Sequence, residues 1–276
     1  MTMRLSIDLG GTNLRIALVD NGVCLNKKSV PCKATEDAEV VIAQLAQLIQ
    51  EMMLPEVDGI GIGVPSIVDS TRGIIYNVAN IPSWKEVHLK EILEKEFNVA
   101  VAINNDCNCF TLGVSLYGEG RNYADLVGIT LGTGVGAGIM VDRHLYCGRY
   151  AGAGEIGLLP YLDSDFEHYC SSPFFSRHHT TGAELADRAI KGELEAIALW
   201  DEFGHHLGQL MKAVLVTYSP QAIILGGGIA TAFPLFEEAM RKAMSDFPYT
   251  HIVNKVKVLP SLLQEANLLG ASALLK

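Results

Sequence analysis

Arg4-Leu5-Ser6-Ile7-Asp8-Leu9-Gly10-Gly11-Thr12-Asn13-Leu14-Arg15-Ile16-Ala17-Leu18-Val19 carries the pattern from which the fold is read. Leu5, Ile7 and Leu9 alternate with polar residues, and Leu14, Ile16 and Leu18 take up the same rhythm after the turn. Period two on both sides of a glycine-rich turn predicts a β-hairpin. Glycines at 10 and 11 let backbone N–H groups approach an oxyanion without a Cβ in the way, and Thr12 adds a hydroxyl. Asp8, at the strand end, is placed to hold a hydrated Mg²⁺. The same residues equally make a plain hairpin turn with solvated polar groups, and this segment alone does not separate the two readings.

The arrangement recurs further along. Leu126–Leu131 and Ala137–Val141 are apolar runs joined by Gly132-Thr133-Gly134-Val135-Gly136. The likeness of Asp8-Leu-Gly-Gly-Thr12 to Thr130-Leu-Gly-Thr-Gly134 hints at two related halves. Neither turn matches the dinucleotide fingerprint Gly-x-Gly-x-x-Gly, and no Gly-Lys-Ser/Thr loop is present, so a phosphate site here would be of the hairpin type. Between the two turns Val99–Ile103 alternates as a short buried strand and ends at Asn104-Asn105-Asp106. A carboxylate among amides at a strand end is where a general base meets a substrate hydroxyl. Asn-Asn-Asp is also an ordinary turn. The flanking glycine-threonine turns favour the first reading, a phosphate donor delivered to an acceptor at Asp106.

The remaining segments alternate in type. Residues 36–54 carry a helical stripe, and Asp58–Pro65 is a strand whose Gly59, Gly61 and Gly63 leave one face bare for a backbone or a ligand. Asn80-Ile-Pro-Ser-Trp84 is a rigid loop, and residues 86–97 read as a short helix. Glu155 lies in the glycine-rich loop 152–157, and Glu167 in Phe166-Glu-His-Tyr-Cys-Ser171. Helices are expected over 181–192, 193–218, 233–244 and 265–275, with strands at 221–225 and 256–259. Gly226-Gly227-Gly228, between strand and helix, is a place for a nucleotide to lie against bare backbone. His205 and His206 fall within the second of these helices and read as surface or packing residues.

A chain of 276 residues has room for one large domain or two of modest size, and with 49% hydrophobic residues it can build a substantial core. A formal net charge of −10 argues against a nucleic-acid backbone as partner, because such surfaces cluster Lys and Arg. The N-terminus has no signal-peptide pattern, and no apolar run reaches the roughly 18 residues of a membrane span. A cytoplasmic protein without membrane partners is expected. The six cysteines, Cys24, Cys32, Cys107, Cys109, Cys147 and Cys170, form no Cys-x-x-Cys pair and read as reduced thiols. His168, Cys170, His178 and His179 are too loosely spaced to be expected as a structural zinc site.

Five motifs, Asp8-Leu-Gly-Gly-Thr12, Asn105-Asp106, Gly132-Thr-Gly-Val-Gly136, Gly154-Glu155 and Leu225-Gly-Gly-Gly228, stand in the order and spacing of the ROK sugar kinases. The resemblance covers nearly the whole chain. It implies an α/β fold of two ribonuclease-H-like (actin-like ATPase) domains with an interdomain cleft, residues 1–105 plus 262–276 forming the smaller and 106–261 the larger. It implies ATP-dependent, Mg²⁺-assisted phosphorylation of a hexose or hexose derivative, at the 6-OH. Asp106 then resembles the general base, and Asn80, Asn105, Glu155 and Glu167 the sugar ligands. Gly10, Gly11, Thr12, Asn13, Gly132, Thr133 and Gly134 would hold the phosphates, Gly226 and Gly227 would border the adenosine, and Asp8 would hold Mg²⁺ through water. A homodimer is expected.

Two departures matter. The zinc-binding histidine that many members carry after Gly-Glu-x-Gly is Leu158 here, and their cysteine-rich zinc segment is missing, so no structural zinc is expected. The chain begins at the first phosphate strand, so the DNA-binding extension of the family's repressors is not expected. A sugar-sensing or regulatory protein with weak kinase activity is the alternative, motivated by Leu158. An actin-like ATPase without a sugar would leave Asn105, Glu155 and Glu167 without a task.

Overall fold

The computed structural model describes residues 3–149 and 152–275. The chain divides into two compact units: the first holds the residues up to Arg121, Leu145–Ala153 and those from Leu263 onward, the second Asn122–His144 and Gly154–Leu262.

In the first unit β1 (Met3–Leu9) and β2 (Asn13–Asp20) form the expected hairpin, with Ile7 opposite Ile16 and Asp8 opposite Arg15. A third strand, β3 (Val23–Pro31), extends it. Its residues are mostly exposed, so it lacks the apolar alternation that would have announced it in the sequence. Helix α1 (Ala38–Met52) buries Val41, Leu45, Leu48 and Ile49, the stripe read at helical spacing. Strand β4 (Val57–Val64) then runs parallel to β1. Short strands β5 (Ile67–Asp69), β6 (Ile74–Tyr76) and β7 (Glu86–Val87) form a small sheet beside the Asn80–Trp84 loop, where Trp84 is fully buried. Helix α2 (Leu89–Phe97) leads to β8 (Ala100–Asn105), and α3 (Asp106–Tyr117) follows at once. The sheet order is β3-β2-β1-β4-β8.

The bare face of β4 receives backbone rather than a ligand. A Cβ on Gly61 would stand 1.9 Å from the carbonyl oxygen of Ala271, in the C-terminal helix Ala266–Ser272. The same helix corrects the expected domain boundary at 105/106. It approaches α3 so closely that a Cβ on Gly113 would lie 2.1 Å from Ala266 O, and one on Gly270 1.7 Å from Cys109 O. Two glycines permit this contact, which fixes α3 in the first unit and moves the boundary beyond Arg121.

In the second unit β9 (Leu126–Leu131) and β10 (Val135–Val141) form the second hairpin, followed by β11 (His144–Leu145). A small ribbon, β12 (Pro160–Tyr161) and β13 (Ser164–Asp165), leads into α4 (Phe166–Cys170) and α5 (Ser172–Arg177). Helix α6 (Gly182–Ile190) starts in a capping box of Thr181 and Glu184. Helix α7 (Leu194–Tyr218) buries Trp200, Phe203, Leu207, Leu210, Met211 and Val214. Strand β14 (Ala222–Gly226), helices α8 (Phe233–Met244) and α9 (Thr250–Lys255), and strand β15 (Lys257–Pro260) complete the unit. The order β11-β10-β9-β14-β15 repeats that of the first sheet. Both β9–β14 and β14–β15 are parallel, so the protein is α/β with two mixed sheets. Among the described residues no helix is long and apolar enough to cross a membrane. None of the six cysteines is joined in a disulfide, and Cys107, Cys109 and Cys170 are buried.

Candidate active site

Asp106 opens α3, directly at the end of β8. Its predecessor Asn105 is the N-cap: Oδ1 accepts from the backbone N–H groups of Cys107 (2.8 Å) and Asn108 (3.3 Å), and Nδ2 donates to Ser66 O at 3.3 Å. The capping amide satisfies donors that the first helical turn leaves without partners. Asn104 braces the strand end from behind. Its Oδ1 accepts from Asn105 N (2.8 Å) and Asn108 Nδ2 (2.9 Å), and its Nδ2 donates to Cys147 Sγ at 3.5 Å. The three residues read as strand end or turn are therefore a brace, a cap and the first helical residue.

Asp106 is half-buried as a residue, yet the surrounding protein leaves its carboxyl poorly hydrated. This desolvation, with the charge of Asp8 next in weight, raises its pKa from the usual carboxylate range to about 6. Asp8 is itself buried, and desolvation raises its pKa against the opposing pull of Arg15. The Arg15 guanidinium pairs with Asp8 Oδ2 and lies 3.6 Å from Glu265 Oε2. Arg15 was missed in the sequence reading, although the hairpin register that places it opposite Asp8 was available there.

The first turn is closed by Gly10 N–H to Asn13 O at 2.9 Å. Thr12 and Asn13 are exposed on it. Asn80 packs against its flank, since a Cβ on Gly11 would meet Asn80 Cβ at 2.4 Å. In the first unit, then, Asp8, Gly10–Asn13 and Asn80 are brought together, and the charge of Asp8 acts on Asp106.

The second unit has a matching turn, closed by Gly132 N–H to Gly134 O at 3.0 Å. It is held by residues not singled out from sequence: Ser172 Oγ donates to Gly132 O (2.9 Å) and Ser171 Oγ to Thr133 O (3.3 Å). Glu167 Oε2 accepts from Val135 N–H at 3.2 Å, and a Cβ on Gly134 would stand 2.4 Å from that oxygen. Burial and then the charge of Glu167 raise the pKa of Glu155, so the two acids stand near each other. Gly227 takes φ +86° with its α-carbon against the Leu131 carbonyl, where a Cβ would lie at 2.3 Å. Only glycine fits such a turn. Leu158 is 63% exposed. His168 pairs with Asp165 at 2.6 Å, and among the described residues no group of three or more His, Cys, Asp and Glu is placed to hold a metal.

Two mixed sheets of identical strand order, each opening on a glycine-threonine hairpin, define the class of α/β protein. A model of the ROK family matches residues 4–276, and the chain belongs to that family. The glucokinase of Thermotoga maritima is 28% identical over 99% of this chain and 96% of its own length. The xylose repressor of Bacillus subtilis is 28% identical over 78% of this chain, which spans 60% of the repressor. A ROK family glucokinase from Streptomyces griseus, solved in complex with glucose and AMPPNP, matches 99% of this chain and 98% of its own with a TM-score of 0.85. At 24% identity that likeness is one of fold.

Proposed function

We propose that the protein is an ATP-dependent sugar kinase that transfers the γ-phosphoryl group to a hexose or hexose-derivative hydroxyl, the 6-OH, with each unit read as ribonuclease-H-like. The observation that carries this reading is Asp106: a carboxylate at a helix start whose pKa of about 6 lies near neutral operating pH, where a general base is most effective. In the first unit Gly10–Asn13 would cradle phosphate oxygens, and Asp106 would accept the hydroxyl proton as the sugar oxygen attacks in line. In the second unit Gly132–Gly134 would hold further phosphate oxygens, Gly226 and Gly227 would border the adenosine, and Glu155 and Glu167 would orient sugar hydroxyls. Asn80 and Asn105 complete the proposed sugar contacts. The Asn105 oxygen is engaged as a helix cap, so its amide nitrogen would serve.

The donor set fits a hydrated Mg²⁺. Asp8 is an oxygen ligand of the hard type such an ion takes, and with Oδ2 on Arg15 its other oxygen suits a contact through water. Bound with ATP, Mg²⁺ supplies neutralisation of charge on the phosphate oxygens; positioning and charge stabilisation are most of what phosphoryl transfer needs.

The likeness to a glucokinase along nearly the whole of both chains supports the kinase reading. A regulatory, sugar-sensing role is the second reading, favoured by the likeness to a repressor and by Leu158 in the place of a histidine. One experiment separates them: ATP consumption measured against a panel of hexoses and N-acetylhexosamines, with sugar binding followed in parallel by calorimetry. Turnover with at least one sugar is expected. Binding without turnover across the panel would leave the regulatory role in its place.

A further inference from the structure

Glu167 sits on α4, a helix of five residues, too short to hold its own conformation. What holds it is a cluster of rings. Tyr161, on β12, stacks flat on Phe166, the residue before Glu167, at 4.4 Å between centroids and 12° between planes. Tyr169, one turn on, meets the Tyr161 ring edge-on at 5.2 Å. Both face His206, in the middle of α7, at 5.6 and 4.8 Å. The Tyr161 hydroxyl and His206 Nδ1 are 2.9 Å apart. Burial pushes the Tyr161 hydroxyl up to about 12, so it keeps its proton, and burial lowers the pKa of His206, favouring a neutral ring. The Glu202 carboxylate, 3.6 Å from Nε2, favours the tautomer with the ring proton on Nε2, and in that tautomer Nδ1 accepts from the Tyr161 hydroxyl.

A buried histidine is an expensive way to fill a core, since an apolar ring would do so without leaving Nε2 short of a partner. A hydrogen bond has what apolar packing lacks, a single direction. This one links the longest helix of the unit to the ribbon that clamps α4, and α4 presents Glu167 to the second glycine turn.

We propose that Tyr161 and His206 are positioning residues, which fix α4 and thereby set where the Glu167 carboxylate stands for the sugar. This rests on the reading of Glu167 as a sugar ligand. The test is sugar KM, kcat, and sugar Kd by calorimetry for Tyr161→Phe, His206→Leu, His206→Asn and Glu167→Gln, and for the double variant Tyr161→Phe/Glu167→Gln. Tyr161→Phe keeps the stacked ring and removes only the hydroxyl. It is expected to raise sugar KM and Kd by about 2–10-fold, the worth of one such bond, with kcat within about twofold of the parent. His206→Leu should do the same, while His206→Asn, whose amide oxygen can stand near the Nδ1 position, should recover most of the loss. In the double variant the effect of Tyr161→Phe should vanish, because it acts through Glu167.

Additive losses in the double variant, or an unmoved KM in Tyr161→Phe while Glu167→Gln weakens the sugar, would overturn the positioning role alone. An unmoved KM and Kd in Glu167→Gln would remove the sugar-ligand reading, and the proposal with it.

Discussion

Asp106, the proposed general base, stands where β8 ends and α3 begins. Replacing it by Asn keeps size and hydrogen bonding but removes the base, so a loss of about 10²–10⁴ in kcat is expected with sugar binding retained. A coupled assay showing near-parental turnover would remove Asp106 from its role. The pKa of about 6 gives the parent enzyme an acid limb: kcat/KM should fall below pH about 6 and level off above it. Stability carries the opposite sign. The folded state disfavours the ionised carboxylate, so the parent loses stability as pH rises from the unfolded pKa near 4 through about 6. Asp106→Asn should therefore be more stable than the parent at pH 7, by about 1–3 kcal/mol, with no gain near pH 3.5 where the parent is protonated. Urea melts at the two pH values measure this, and a gain independent of pH would contradict it. Asp106 was visible in the sequence as a strand-end carboxylate. Its raised pKa was not, because that depends first on desolvation by the folded chain and then on Asp8, 98 residues earlier in the sequence.

At the scale of elements, turns and glycines were legible and their structural duties were not. The first hairpin followed from period-two alternation around glycines and the second from two apolar runs about a glycine-threonine turn, and α7 and α8 fall within the helices expected over 193–218 and 233–244. Helix α3 was missed. Its apolar residues, contacting neighbours nearly all round, give no one-sided stripe, and its start is marked only by Asn105 as a cap. That double identity of Asn105, cap and proposed sugar ligand, is separable. Asn105→Ser keeps a capping oxygen and removes the amide, whereas Asn105→Ala removes both. If the amide touches sugar, both variants should raise sugar KM, but only Asn105→Ala should lose about 1 kcal/mol of stability in denaturant melts. An unchanged KM in Asn105→Ser would leave the residue with the cap alone. Gly61 makes the parallel case in a strand. It read as a face open to backbone or ligand, and the C-terminal helix fills it. Gly61→Ala has no room to relax without moving that helix, and a loss of more than about 2 kcal/mol is expected, against under about 1 for an unhindered strand glycine.

For the whole molecule, the repeated strand order bears out in form the weak internal likeness of Asp8–Thr12 to Thr130–Gly134. The boundary between units was not legible, because what holds α3 to the first unit is backbone proximity to a helix about 160 residues later. Oligomeric state is the property furthest from the sequence. A long apolar stripe runs along α7, but its Trp200, Phe203, Leu207, Leu210 and Met211 are buried within the second unit itself and are not free for a dimer contact. The large apolar side chains it leaves well exposed include Leu194 at 82% and Val216 at 74%, near opposite ends of a helix roughly 37 Å long. Even with Ile197, 39% exposed beside Leu194, these few side chains at separate ends do not make a self-complementary patch of the size a stable C2 contact needs. A dimer, still expected from the family resemblance, must then be built on surfaces other than the α7 stripe. Light scattering at micromolar concentration should give twice 29.8 kDa, and Leu194→Glu with Val216→Glu should leave that mass unchanged. A single-chain mass for the parent would end the dimer expectation. A dimer dissociated by those two substitutions would return the interface to α7.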